Sequence, residues 1–418
     1  MMNKNVDVLV IGAGPSGCVA AAYLHKNGLS VQVVEKTKFP RFVIGESLLP
    51  RSMDHFEEVD LLECLDAQNF EKKHGARFLK EGKVCNFDFS KKYSKGWDWT
   101  WQVPRADFDL TLVNEIIRKG VNVAFEWEVT DVIFDGSLSK TTIKNKNGKV
   151  QTIDAKFIID SSGYGRVLPR LLDLDIPSPL PKHSSIFTHV KDSNRPRNTE
   201  GTLITFDVVK QDAWLWVIPF SNGNTSIGFA GSTEFIESYN GNTSEMLSEM
   251  LKLSTHYYDR FKDVDFLFEP INIKNYSKSV KQLYGDGYAL TGNSSEFLDP
   301  VFSSGIAFAT ESSLLAAKLV TRQLNGDIIN WENEYSEHLK KGTTVFATYV
   351  KEWYSGNLPK LFFHQPENTE IKEKICSVLA GYVWDETNPF VKKHDRAISS
   401  IAHLINLEIE KEKKAASL

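Results

Sequence analysis

The run V-D-V-L-V-I leads straight into Gly12-Ala13-Gly14-Pro15-Ser16-Gly17, and this junction constrains the fold more than any other stretch of the chain. A nearly continuous β-branched apolar run reads as a strand buried on both faces, the kind found in parallel sheets. C-V-A-A-A-Y-L-H-K-N-G-L then reads as a helix closed by a glycine, and V-Q-V-V forms a second strand ending on Glu35. An acid about 20 residues beyond such glycines meets ribose hydroxyls in dinucleotide-binding βαβ units. The roles divide cleanly. Gly12 permits the tight turn, Gly14 lets backbone approach a pyrophosphate, and Gly17 lets the helix close on the strand. The helix start then offers unpaired N–H groups and a positive dipole end to the phosphates. A bare glycine pattern recurs by chance, but here strand, helix, second strand and acid stand in register.

The chain has 418 residues, enough for two or three packed units. Its net charge of -5 gives no reason to expect nucleic acid or an anionic membrane as partner. Cys18, Cys64, Cys85 and Cys376 lack metal-type or disulfide-framework spacing, so no metal is expected and a reducing compartment suits them. The start M-M-N-K-N-V-D-V-L-V-I superficially resembles a signal peptide, but Asp7 and the glycines interrupt it. No other stretch approaches the roughly 20 apolar residues that span a bilayer. A soluble, cytoplasmic protein is expected.

Residues 121–160 alternate strand patterns with turns, including the hairpin signal Asn147-Gly148, and F-I-I-D at 157–160 reads as another buried parallel strand. Residues 185–275 are strand-rich, and from about 309 the pattern turns helical, ending in a charged tail expected to fray. This suggests an α/β dinucleotide-binding domain built from 1–75, 105–185 and 280–330. A mostly antiparallel sheet domain would take 76–104 and 186–279, with a helical C-terminal region over 331–418. The aromatics of 343–390, such as Phe346, Tyr349, Trp353 and Phe362, read mainly as helical core, with a pocket wall the alternative for individual rings.

Several further motifs remain. W-L-W-V-I-P-F at 214–220 puts Trp214, Trp216 and Ile218 on one face of a strand that reaches Pro219. G-W-D-W-T-W-Q-V would put Trp97, Trp99 and Trp101 on one face of a second strand of the same sheet. F-P-R-F-V-I-G-E-S-L-L-P covers 39–50, Q-V-P-R-A-D-F-D covers 102–109, and G-D-G-Y-A-L-T-G-N-S-S-E-F-L-D-P leads into V-F-S-S-G-I at 301–306. Together these resemble the flavin-dependent halogenases, whose recognised marker is W-x-W-x-I-P and whose fold is of the p-hydroxybenzoate-hydroxylase and glutathione-reductase type. The resemblance runs over nearly the whole chain and is weakest in the last hundred residues.

That resemblance implies FAD, used in reduced form, held by the glycine turn together with Glu35, Lys36, Arg41, Glu46, Ser47, Arg105, Asn293, Pro300 and Ile306. The family usually has Gly-Asp where this chain has Gly292-Asn293; asparagine can still bond a ribityl hydroxyl. Ser303, Ser304 and Gly305, at a helix start suited to anions, would hold chloride or bromide. Reduced FAD and O₂ would oxidise the halide to hypohalous acid, and Lys73 would receive that acid by the family's K-x-x-x-[KR]-F spacing to Phe78. An amine in an apolar tunnel loses proton affinity and can hydrogen-bond the acid or form a haloamine. Without that alignment, Lys72 and Lys73 both read as solvated surface charges.

The tryptophans, Ile218 and Pro219 would wall the aromatic substrate away from the flavin. Phe302 stands where tryptophan-halogenating relatives carry a glutamate that stabilises a cationic ring. Its absence favours a self-activating acceptor: a phenol or pyrrole, free or tethered to a carrier protein, of the kind that feeds secondary-metabolite pathways. No second fingerprint for NAD(P)H is visible, so a separate flavin reductase is expected. Two other readings stay open on sequence alone, an FAD-dependent aromatic hydroxylase and a non-catalytic flavin-binding relative; a dehydrogenase of the same superfold ranks lower.

Overall fold

The computed structural model describes residues 4–136, 138–364 and 369–416. The chain resolves into two compact units, each assembled from three stretches. The first comprises Met1–Phe70, Val103–Pro179 and Ser277–Lys340, the second Glu71–Gln102, Leu180–Tyr276 and Lys341–Leu418.

The first unit is built on a parallel sheet. Its strands run in the order Tyr288–Leu290, Val150–Asp160, Asn5–Ile11, Val31–Glu35 and Asn122–Phe125, every neighbouring pair parallel. Parallel neighbours need a crossover, and Pro15–Lys26 and Arg105–Arg118 supply helices for two of them. The continuous apolar runs read from sequence are strands with no exposed interior residue: Val8 to Val10 and Phe157 to Ile159 are buried throughout. Leu138–Asn145 pairs antiparallel with Val150–Asp160 and Trp127–Asp135 antiparallel with Leu138–Asn145, and the hairpin at Asn147-Gly148 forms as its sequence indicates, with Gly148 at φ 79°. The 21-residue helix Ser304–Leu324 packs along Pro15–Lys26. Alanines at 20, 21, 307, 309, 316 and 317 are buried and let the two backbones approach.

The second unit holds a seven-stranded sheet ordered Ile271–Ile273, His183–Lys191, Asn224–Ser232, Ala213–Pro219, Thr205–Lys210, Gly75–Lys80 and Lys83–Asp88. Every neighbouring pair is antiparallel except Thr205–Lys210 with Gly75–Lys80, which run parallel. Both faces are covered. Leu215, Val217, Ile227 and Phe229 meet Ile236, Leu247, Met250 and Phe261 from the short helices on one side. On the other face Phe78 stacks on Phe206 at 4.9 Å and meets Phe362 at 4.8 Å and Trp353 at 5.4 Å. The aromatic-rich C-terminal helices therefore form core, as most of their rings were expected to.

Two expectations fail. The charged tail does not fray early: His394–Ala416 is one 23-residue helix. Nor do Trp97, Trp99 and Trp101 lie along a strand of the large sheet. Only Thr100–Gln102 is extended, paired antiparallel with Glu71–Lys73 in a separate two-stranded ribbon. The physical reason is a tight loop: Gly96 sits at φ 127°, and the Lys92 amine bonds the Gly96 carbonyl at 2.9 Å and the Asp98 carboxylate at 2.5 Å, curling the chain before the ribbon. The three indoles still stack edge to face, 5.5 and 5.3 Å apart.

Candidate active site

The glycine turn in the first unit is shaped by contacts that allow no side chain. A Cβ on Gly17 would lie 1.9 Å from the Gly12 carbonyl oxygen, and Gly12 itself adopts φ 98° with Ser161 backbone 2.5 Å from its missing Cβ. Gly14 caps the helix Pro15–Lys26 without any side-chain cap, so the first-turn N–H groups are left for a ligand. Glu35 closes the turn from beneath: one carboxylate oxygen accepts from the Ala13 N–H at 2.9 Å, the other from the Thr37 N–H at 2.9 Å and its hydroxyl at 2.6 Å. Ser16, Ser161 and Thr291 form a buried triangle of hydroxyls, 2.8 to 3.2 Å apart, that fixes this helix start to the ends of two strands.

Arg41 and Arg105 converge on one carboxylate. Asp109, fully buried, bonds Arg105 at 2.8 and 3.0 Å and Arg41 at 3.1 Å. Arg41 also lies 3.9 Å from the Glu35 carboxylate, so the two guanidiniums are set against two carboxylates. The Arg41 guanidinium lies 3.5 Å from the place a Gly14 side chain would occupy, beside the uncapped helix start. An uncapped helix, a close-approach glycine and the adjacent Arg41 guanidinium fit a dinucleotide pyrophosphate, and the donor set therefore fits FAD. Arg105 further donates to the Ile44 and Gly45 carbonyls, ordering the segment that presents Glu46 and Ser47, both buried.

Asn293 lies in a short turn, Gly292–Ser294, and its carbonyl accepts from Arg166 at 2.9 Å. Lys36, by contrast, is exposed and paired with Glu128 at 2.8 Å.

The segment Pro300–Phe302 is a single 3-10 turn, held by the Asp299 carboxylate accepting from the Val301 N–H at 3.0 Å. Ser303 takes the left-handed conformation, φ 56°, and the helix starts at Ser304 with no side-chain cap. Around Gly305 no heavy atom lies within 4 Å of where a Cβ would be. The Ser303 hydroxyl donates to the Ser47 hydroxyl at 3.2 Å, which brings two of the expected site residues together. Phe302 and Ile306 are buried.

Lys73 is not a surface charge. Only 1% of it is exposed, its amine lies 5.5 Å from the Phe89 ring centre, and burial pulls its pKa from 10.5 to about 7. Lys72, on the other face of the same strand, is exposed over the Trp99 ring at 4.4 Å. The structure thus separates two lysines that sequence alone leaves equivalent.

Trp214 and Trp216 share a face, 5.9 Å apart, as their spacing indicates. They pack inside the second unit, Trp214 on Phe206 at 5.4 Å and Trp216 on Phe187 at 5.7 Å. Their indole N–H groups donate to the Tyr354 hydroxyl and the Ser226 hydroxyl. Ile218 and Pro219 are buried beyond them, and the Pro219 carbonyl accepts a 2.6 Å hydrogen bond from the Gln102 amide.

Sequence reasoning missed Gln102, Asp109 and a buried charge cluster. In that cluster Glu311 accepts from Arg51 at 2.8 Å, His55 at 2.7 Å and His338 at 2.9 Å. Asp109, four residues after Arg105 on one helix face, was readable as its partner. A lone glutamate amid A-F-A-T-E-S-S-L-L-A-A was a comparable signal for Glu311. Among the described residues no group of His, Cys, Asp and Glu could hold a metal ion, and no helix is long and apolar enough to cross a membrane.

Residues 5–252 match the FAD binding domain family. The chain is 28% identical over 392 residues to the 1H-pyrrole-2-carbonyl-(peptidyl-carrier protein) brominase of Pseudoalteromonas luteoviolacea, covering 91% of this chain and 93% of that one. It is 30% identical over 403 residues to the tryptophan 2-halogenase of Chondromyces crocatus, covering 91% and 76%. Among solved structures, a flavoprotein/dehydrogenase from Cytophaga hutchinsonii superposes with a TM-score of 0.95 at 50% identity, over 97% of this chain and 99% of that one.

Proposed function

The chain belongs to the flavin-dependent halogenases of the FAD-binding family, and we propose that within it Lys73 hands hypohalous acid to a phenol or pyrrole, free or carrier-bound. When bound, reduced FAD supplies the reduction of O₂ that oxidises chloride or bromide. The glycine turn and the Arg41–Asp109–Arg105 group bind and orient the cofactor. The helix start at Ser304–Ile306 concentrates the halide by its N–H groups and dipole.

The observation that carries the reading is the burial of Lys73. A lysine held near pKa 7 exchanges between amine and ammonium at neutral pH, so it can accept the acid's proton or donate to its oxygen. A hydroxylase transferring oxygen straight from flavin to ring has no need of such a group, and neither has a dehydrogenase, the description carried by the Cytophaga neighbour. The relative acting on carrier-bound pyrrole supports an acceptor of that class, as does the absence of a carboxylate at Phe302. A separate reductase supplies the reduced flavin.

The test combines the protein with a flavin reductase, FAD, O₂ and bromide, and offers a panel of phenols and pyrroles. Mass spectra should show the paired bromine isotopes in product from the wild type and none above background from Lys73→Ala. Oxygenated product formed without halide would refute the reading.

A further inference from the structure

We propose that the Thr100 hydroxyl is a second binding group for the hypohalous acid at Lys73, donating to the acid's oxygen and so fixing which way the halogen points. The proposal rests on the halogenase reading of Lys73 and adds a residue to it.

Lys73 and Thr100 are directly opposed across the ribbon of Glu71–Lys73 and Thr100–Gln102. Opposed residues of an antiparallel pair project from the same face, with Cβ atoms about 5 Å apart. Thr100 is 0% exposed, and its hydroxyl has no hydrogen-bond partner among the described residues. Buried hydroxyls are nearly always bonded, because leaving one unpaired forfeits its hydration with nothing in return. Valine has the same shape and an equal liking for strands, so a purely structural position here would be served better without the oxygen.

The next position on that face is no alternative partner. Gln102 is fully engaged, accepting from the Ile204 N–H at 2.7 Å and donating to the Thr202 and Pro219 carbonyls at 3.2 and 2.6 Å. The Phe89 ring beside the lysine is apolar and fully buried. An amine, an unpartnered hydroxyl and an aromatic wall suit a small neutral molecule with one polar end, which describes HOX. Where the acid is taken up as a haloamine, an N–X bond forms, the O–X bond breaks, and the amine proton leaves with the hydroxide as water. Thr100 would hold that departing oxygen, and no further oxidant is needed.

The test compares wild type, Thr100→Val, Thr100→Ser and Lys73→Ala. With reductase, FAD, O₂ and bromide, brominated product per reduced flavin consumed should fall about tenfold in Thr100→Val, while free hypobromous acid trapped by monochlorodimedone rises. Thr100→Ser should recover most of the yield. A merely structural threonine would instead lower the melting temperature of the valine variant, whereas removal of an unpaired hydroxyl should leave it equal or raised. A second readout needs no flavin: the apo chain is briefly exposed to one equivalent of hypochlorous acid, desalted and titrated with thiol. Uptake above the Lys73→Ala baseline should drop at least threefold in Thr100→Val. Unchanged yield and uptake in the valine variant would overturn the proposal. Absence of brominated product from the wild type would instead refute the halogenase reading, and the apo uptake would still decide whether Thr100 assists Lys73.

Discussion

The side-chain amide of Gln102 donates a 2.6 Å hydrogen bond to the carbonyl of Pro219, joining the ribbon that carries Lys73 to the end of the tryptophan strand. The same side chain accepts from the Ile204 N–H, so one residue satisfies buried backbone on two elements. Replacing it by methionine keeps the volume and leaves these groups unpaired. Gln102→Met should therefore cost about 3 kcal/mol, read by denaturant melting, and hydrogen exchange at 71–73 should quicken. Gln102→Glu keeps the acceptor for Ile204 but buries a carboxylate against the Thr202 and Pro219 carbonyls, and should cost at least as much.

Gly17 leaves no room for a methyl group, because the offending atom is a backbone carbonyl 1.9 Å away. Gly17→Ala must push the helix start off the strand, displacing the N–H groups that meet the pyrophosphate. Affinity for FAD, followed by quenching of flavin fluorescence, should weaken at least about 100-fold.

Lys73 gives a pH signature of defined sign. Its pKa is depressed on folding, so between about 7 and 10.5 the unfolded chain binds one more proton than the folded chain, and stability rises with pH. Below 7 the folded protein bears a buried charge. Lys73→Met should thus be more stable than wild type at pH 6, by on the order of 5 kcal/mol, with the gap closing as pH climbs towards 10.5. Melting temperatures of both proteins across that range are the check.

Glu311 behaves oppositely. Burial works against its charge, yet hydrogen bonds from His338 and His55, with Arg51 adjacent, hold it well below the ordinary carboxylate range. Its contribution is present above pH 4.5 and lost as pH falls through the folded value. Glu311→Gln should destabilise by about 3 kcal/mol at pH 7 by stranding Arg51 and both histidines. The deficit relative to wild type should shrink in acid unfolding below pH 4.5.

Much of the fold was legible because its signals are local. The strand, glycine turn, helix and Glu35 lie within a few dozen residues, and the hairpin at Gly148 announces itself in two residues. The Lys73 ribbon was not legible. A three-residue strand is too short to show a period, and its partner lies nearly thirty positions onward. Alternation in G-W-D-W-T-W was mistaken for a strand because the loop that interrupts it depends on Lys92 reaching Asp98, a contact no periodicity records. Likewise Arg41 and Arg105 were found as cations, but only the fold reveals that they share Asp109.

The one parallel seam of the antiparallel sheet sets an order of events during synthesis. Gly75–Lys80 and Lys83–Asp88 can pair as soon as they emerge, but the open side of that hairpin must wait for Thr205–Lys210, well over a hundred residues later. Until then a nascent chain displays an unpaired edge flanked by Phe78 and Phe87, the type of template on which chains aggregate. Fragments that stop short of residue 205 should accordingly be insoluble, and the yield of intact protein should depend on slow translation or on a chaperone that shields this edge.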